Sequence, residues 1–192
     1  MENYDWVPPC LNELEVEEFF SHFPQDQVPL EQLGINNRKK YLFHQIPKSD
    51  LAIEFNRFIK NDSTKKSFYD FLSNRSLLAF DVALCMKNSH KNLQCNKCHF
   101  QILIGTVYVQ AMDKKNVLSN YKNFVYHPNC FKCSTCEHFL ADLAYCMHNN
   151  KLYCVRHYGD LFRPRCGICD EGAINTLNHL VLFSKPYSLI LD

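Results

Sequence analysis

Eight residues in the second half of the chain have the types and spacing to do metal chemistry. They run Cys95-x2-Cys98, then His127-x2-Cys130-x2-Cys133-x2-Cys136, then Cys154-x2-His157. Two intervening residues bring both thiolates of a Cys-x2-Cys turn to the same side, so one loop presents two sulfurs to one ion. Zinc favours four such S/N donors at about 2.0–2.3 Å, and eight donors make two tetrahedral sets. Each zinc would contribute apparent folding free energy on the order of 10–16 kcal/mol. A segment this short buries little core of its own, so metal would hold much of it together.

The eight donors divide in two ways. Consecutive pairs give Cys95, Cys98, His127 and Cys130 for one ion and Cys133, Cys136, Cys154 and His157 for the other. Interleaved pairs, as in cross-brace modules, are the alternative. The central run HPNCFKCSTC favours the first division, because only Phe131 and Lys132 separate Cys130 from Cys133. Two fingers would then abut, with Phe131 packing in a small core between them.

Other uses of the sulfur fit less well. The chain opens MENYDWVPPC, without the basic and apolar segments of a secretory leader, so a reducing compartment is expected and disulfides are not. No βαβ pattern surrounds a Cys-x-x-Cys, which argues against thioredoxin-like redox chemistry. The zinc deaminase pattern places Glu two residues after its His, whereas Asn129 follows His127 and Asn92 follows His90. With four donors for each ion, both sites read as closed and structural, and no enzyme is expected. The remaining histidines, His22, His44, His90, His99, His138, His148 and His179, are expected to be solvated or packed.

Of 11 cysteines only Cys10 precedes Cys85, so the composition changes near residues 85–94. Before that point the pattern is helical. Leu11, Leu14, Phe19 and Phe23 recur at helical period among acidic residues, and Pro24 and Pro29 bracket a loop. A second helix is expected from about Asn36 to Gln45, stopping before Pro47. A third is expected to start at Ser49 or Asp50, with Leu51, Phe55, Phe58 and Ile59 on one face. A fourth is expected over Ser63–Asn74 with Phe68, Phe71 and Leu72. No run of apolar residues is long enough for a membrane helix. The net charge of +1 and pI near 7.6 argue against a protein built around a phosphate backbone.

The eight-donor order resembles a LIM domain. In the first half YDWVPP, FFSHFPQDQVP and RKKYLFHQIPKSD resemble the PET domain, and LYCVRHYGDLFRPRCGICDE is similar to the junction of first and second LIM domains in the PET-LIM family of Prickle and testin. The short connection FYDFLSNRSLLAFDV is closer to the Prickle type. The resemblance implies a small zinc-stabilised α+β chain: a helical PET domain over 1–85, a linker over 86–94, a LIM double zinc finger of short β-hairpins over 95–158, and over 159–192 an incomplete second LIM start with a divergent apolar tail. By position it assigns Cys95, Cys98, His127 and Cys130 to the first zinc and Cys133, Cys136, Cys154 and His157 to the second. Trp6, Pro8 and Pro9 match the PET entry motif, and Gln45, Pro47 and Asp50 the end of its helical signature.

That family implies an adaptor binding other proteins, polarity-complex or cytoskeletal and adhesion components, in the cytoplasm, at the cell cortex or in the nucleus. A nuclear transcriptional cofactor touching nucleic acid or transcription factors is the alternative, although Lys151, Arg156, Arg163 and Arg165 are too few and too mixed to support it. No small-molecule substrate is expected. The departures are Cys10 in place of Gly, Tyr126 in place of Trp, and a 28-residue gap from Cys98 to His127 that an insertion around Asp113–Lys122 would explain. Alternating Ile102, Ile104, Val107 and Val109 still suggest strands. Cys166-x2-Cys169 starts another knuckle, but no Cys follows it and only His179 could ligate, so this pair is expected to be without metal or to borrow an outside ligand. The sequence ends LILD, which offers no prenylation signal, and reads like a member truncated within its second LIM domain. Cys133→Ser is expected to unfold the second finger and leave the helices largely intact.

Overall fold

The computed structural model describes residues 4–79, 83–111 and 124–172; the expected insertion at 113–122 and His179 lie outside them. Helix α1 (Glu13–Ser21) starts in a capping box: Asn12 accepts from the Glu15 amide and Glu15 from the Asn12 amide, each at 3.0 Å. Its buried face is Val16, Phe19 and Phe20, continued by the partly buried Phe23. Leu14, expected on that face, is exposed because it lies about 200° around the helix from Val16. Ahead of the helix Tyr4 stacks on Phe20 with ring centres 4.5 Å apart, and Trp6 meets Phe19 and Phe20 edge-on.

Helix α2 (Gln32–Phe43) begins a turn earlier than the Asn caps suggested; Glu31 leads it without a side-chain cap. The early start lets Gly34 sit against the chain at Gln25–Val28. A Cβ there would lie 1.9 Å from the Val28 carbonyl oxygen. Alanine gains about 1 kcal/mol of helix propensity over glycine, but the clash outweighs it. Gly34→Ala is therefore expected to lower stability by about 1–3 kcal/mol, read as a lower urea midpoint.

The expected third helix does not form. Two 3₁₀ turns, Lys48–Asp50 and Ile53–Phe55, replace it, separated by Ala52 at φ −154° and ψ 153°. The Asn56 side chain donates to the carbonyls of Ser49 (2.6 Å) and Ala52 (3.1 Å), giving them partners that a continuous helix would otherwise supply. Of the proposed apolar face only Ile59 is buried, while Leu51, Phe55 and Phe58 are exposed. The turn serves instead to point Asp50 inward. Helix α3 (Asp62–Leu78), capped by Asn61 and Thr64, runs longer than its pattern suggested and buries Phe68 and Arg75.

The second half is built from short antiparallel pairs. Strands β1 (Leu84–Lys87), β4 (Val107–Ala111) and β5 (Phe124–Tyr126) form one sheet in the order β1-β4-β5, with Cys85 opposite Val109 and Val109 opposite Tyr126. Residues 86–94, read as a linker, thus begin inside a sheet, and Asn88 is buried with its amide on the Lys91 and Ile102 carbonyls. Strands β2 (Leu93–Gln94) and β3 (Gln101–Ile102) pair, as do β6 (Tyr145–His148) and β7 (Lys151–Cys154). The β6–β7 turn has Asn149 and Asn150 at φ 49° and 60°, the positive values a type I′ hairpin requires. Ile104, expected in a strand, falls in a turn and is exposed. Helix α4 (Val155–Phe162) follows.

One apolar cluster joins both halves. It runs from Val16, Phe19 and Phe20 through Cys85, Val107, Val109 and Tyr126 to Phe131, Leu140, Tyr145 and Leu152. Glu18 accepts the Val107 amide at 2.9 Å, fastening α1 to β4. No helix among the described residues is long and apolar enough to cross a membrane.

Candidate metal centres

Each Cys-x2-Cys pair lies in a tight knuckle. In the first, the Cys95 amide donates to the Phe100 carbonyl (2.9 Å), the His99 amide donates back to Cys95 (3.0 Å), and His99 takes φ 62°. In the second, Cys133 and His138, Glu137 and Cys133 repeat those bonds, with Glu137 at φ 58°. The left-handed residue reverses the chain directly after the second cysteine, which turns both sulfurs toward one point.

The other donors come from element ends. His127 follows β5 and opens the 3₁₀ turn Pro128–Cys130, which folds Cys130 back beside it. Cys154 ends β7 and caps α4, its sulfur accepting the His157 amide at 3.5 Å, so His157 in the first turn of α4 points to the same place.

The structure gathers all eight predicted residues into two groups, Cys95, Cys98, His127 and Cys130 in one and Cys133, Cys136, Cys154 and His157 in the other. Within each group the ligand atoms lie within 4.8 Å of one another. This is the consecutive division. Tetrahedral arms of zinc length imply S···N edges of about 3.6 Å. The observed Nδ1···Sγ distances bracket that value: 3.4 Å from His127 to Cys98, 4.0 Å to Cys130, and 3.1 and 3.7 Å from His157 to Cys154 and Cys133. His127 Nε2 lies 3.2 Å from the Gln101 carbonyl, the contact that leaves Nδ1 free to ligate. Phe131 fills the seam, edge-on to Tyr126 and Tyr145 at 5.5 and 5.1 Å. Tyr126 fits that core at a cost, because its buried hydroxyl has no hydrogen-bond partner among the described residues.

Electrostatics agrees with a cation site. Burial raises the Cys95 thiol, but the amides of Cys98, His127 and Lys97 outweigh it and bring it down to about 7. Its neighbour Cys130 is pushed up to about 12 by burial and by the charge of Cys95. In the second group the hydrogen bonds of Cys136 and Cys154 hold the Cys133 thiol far below its ordinary value, and Cys154 is driven up. His157 is raised to about 10 by Cys133 and Cys136. Crowded thiolates oppose one another's ionisation, and a divalent cation relieves that conflict. The donor sets therefore fit such an ion.

Sequence reasoning missed what the helical half brings here. The Tyr41 hydroxyl of α2 lies 3.4 Å from Cys136 Sγ, and its ring stacks on His138 at 3.9 Å. Arg38, one turn earlier, donates to Asp142 (2.6 Å) and to the Phe139 carbonyl (3.0 Å), while Phe23 stacks on Phe139 at 3.8 Å. Only the motif RKKYLFHQIPKSD marked this stretch, and no local pattern says which way its Arg and Tyr face.

Cys166 and Cys169 form a third knuckle of the same kind, with the Cys166 amide on the Glu171 carbonyl (2.9 Å) and Asp170 at φ 57°. No further Cys or His joins it in a metal-type group among the described residues.

A capping helical unit followed by two abutting four-donor fingers defines the PET-LIM class, and the chain belongs to this family. The family model described as PET Domain matches residues 1–85, and that described as LIM domain matches 95–162. Among curated relatives, the chain is 33% identical over 174 residues to Prickle planar cell polarity protein 3-A of Xenopus laevis, covering 89% of this chain and 31% of that one. It is 33% identical over 172 residues to Prickle planar cell polarity protein 3 of Homo sapiens (88% and 27%) and 32% over 173 residues to Protein prickle of Anopheles gambiae (89% and 18%). The chain thus spans less than a third of the length of these relatives. No solved structure matches it.

Proposed function

We propose that the chain is a zinc-stabilised protein-interaction adaptor of planar cell polarity assemblies. The observation that carries this reading is the pair of closed four-donor sites. Cys95, Cys98, His127 and Cys130 would hold one zinc, and Cys133, Cys136, Cys154 and His157 the other. Zinc at these sites would supply folding free energy and a rigid frame. Every coordination position is taken by a protein donor, which leaves none for a substrate and favours a binding module over an enzyme. The relatives are planar cell polarity proteins by name, which points to that setting, and the joined PET and LIM parts offer one composite surface to partners. Elemental analysis of the purified full chain is expected to give two zinc ions per molecule; three or none overturns the ligand assignment. Proximity labelling in a polarised epithelium is expected to mark polarity-complex proteins with the native chain and to lose them with Cys133→Ser. Equal labelling by both overturns the adaptor reading.

A further inference from the structure

The second metal centre has a neighbour that the first need not have: a side chain delivered from another domain. Cys133 and Cys154 are fully buried, whereas Cys136 is partly exposed. Backbone amides serve the two buried sulfurs, Thr135 on Cys133 at 3.4 Å and His157 on Cys154 at 3.5 Å. The more open Cys136 sulfur meets the Tyr41 hydroxyl, 95 positions away in sequence, at 3.4 Å. Two contacts hold the ring that carries the hydroxyl. The Tyr41 ring stacks on His138 at an angle of 25°, and the Arg38 guanidinium lies over the same ring at 5.3 Å from its centre; Arg38 is in turn tied to Asp142 and the Phe139 carbonyl. Arg38 and Tyr41 are three residues apart and share one face of α2, so helix and knuckle meet as a unit.

A metal-bound thiolate has no proton to give, so in this pair the Tyr41 hydroxyl is the donor and the Cys136 sulfur the acceptor. Such a bond spreads the charge of the sulfur and covers it from solvent, so it protects the thiolate from attack by water and electrophiles. We propose that the second centre is a composite site in which Tyr41 of the PET domain is the outer-sphere hydrogen-bond donor to Cys136. Metal retention by the LIM domain and docking of the PET domain are then thermodynamically linked, each strengthening the other. Tyr41 is a positioning residue in this scheme, since it touches a ligand and not the ion. The proposal rests on the zinc reading above.

The test uses the full chain and Tyr41→Phe, which removes the hydroxyl and keeps the ring on His138. Zinc content of the native chain is measured first; fewer than two ions refutes the zinc reading itself. Both proteins are then challenged with a chelator and a thiol-alkylating reagent, and modified cysteines are located by mass spectrometry. Outer-sphere losses weaken metal binding by about 10–100-fold, so Tyr41→Phe is expected to speed alkylation of Cys133, Cys136 and Cys154 by about tenfold. Cys95, Cys98 and Cys130 should keep their native rate. In the cadmium-substituted chain one NMR resonance of the metal should move and the other stay. An unchanged rate at the second site, or equal acceleration at both, overturns the proposal; the latter result means general loosening.

Discussion

Cys133→Ser is expected to destroy the second finger and to take part of the helical signal with it. A structural zinc is worth on the order of 10–16 kcal/mol in apparent folding free energy, and a whole domain is stable by only about 5–15 kcal/mol. One lost ligand therefore exceeds what the remaining contacts of that finger can offset. The core is continuous, which revises the expectation of largely intact helices. Phe23 stacks on Phe139, and Arg38 is held by Asp142 and the Phe139 carbonyl, all in the loop between Cys136 and β6. When that loop unfolds, α2 loses its seat. Far-ultraviolet circular dichroism should fall by more than the short α4 accounts for, and Trp6, packed on Phe19 and Phe20, should report a changed environment. Helical signal and Trp6 emission identical to the native chain would mean that the PET part stands alone. Cys10→Ser, at an exposed cysteine outside both donor groups, is the control that should change neither.

The two four-residue groups were legible because their spacing is local in sequence. A Cys-x2-Cys turn needs only its own backbone, and the two-residue seam at Phe131 and Lys132 leaves little choice of pairing. Helix α1 was legible in part: Phe19 and Phe23 lie on its buried side, whereas Leu14 is exposed and Val16 and Phe20 complete the face. The stretch after Pro47 was not. Leu51, Phe55 and Phe58 carry a helical spacing, but the conformation there is decided by Asp50 and Asn56. Their partners Arg163 and Arg165 stand more than 100 positions away. Strand β1 was hidden likewise: Leu84–Lys87 is too short to read as a strand until β4 pairs with it. Tyr41 and Arg38 show the general limit. A pattern can say that a helix has two faces, and only the partner says which face has a use.

Asp50→Ala is expected to be among the most damaging substitutions that leave the metal donors alone. Its side chain is 0% exposed and meets three guanidiniums: Arg75 from α3, Arg163 at 3.4 Å and Arg165 at 2.6 Å. Those arginine side chains are themselves only 6–8% exposed. Removing the carboxylate would leave a concentration of buried positive charge. Burial already lowers the Arg163 pKa, with Asp50 working against that fall. Breaking one partner of a buried ion pair costs about 3–5 kcal/mol. Asp160 remains for Arg165 at 2.7 Å, and Asn56 for Arg163 at 2.9 Å, which places the expected loss at about 3–4 kcal/mol and not beyond. The contrast is Arg57 with Glu171: the arginine is 65% exposed, and Arg57→Ala should cost far less than Asp50→Ala, because solvent screens its ion pair. Urea unfolding of both variants measures the difference, with zinc content checked so that metal loss is not mistaken for it. Arg165 also donates to the Asp170 carbonyl at 3.2 Å, and Ser49 lies 3.4 Å from the same oxygen. The third knuckle is therefore held from outside by the Asp50 cluster, and Asp50→Ala should raise the alkylation rate of Cys166 and Cys169 while Cys95 and Cys98 keep theirs. Equal urea midpoints for Asp50→Ala and the native chain would mean that the three arginines find water or other acceptors, and that the cluster orients the knuckle without stabilising the fold.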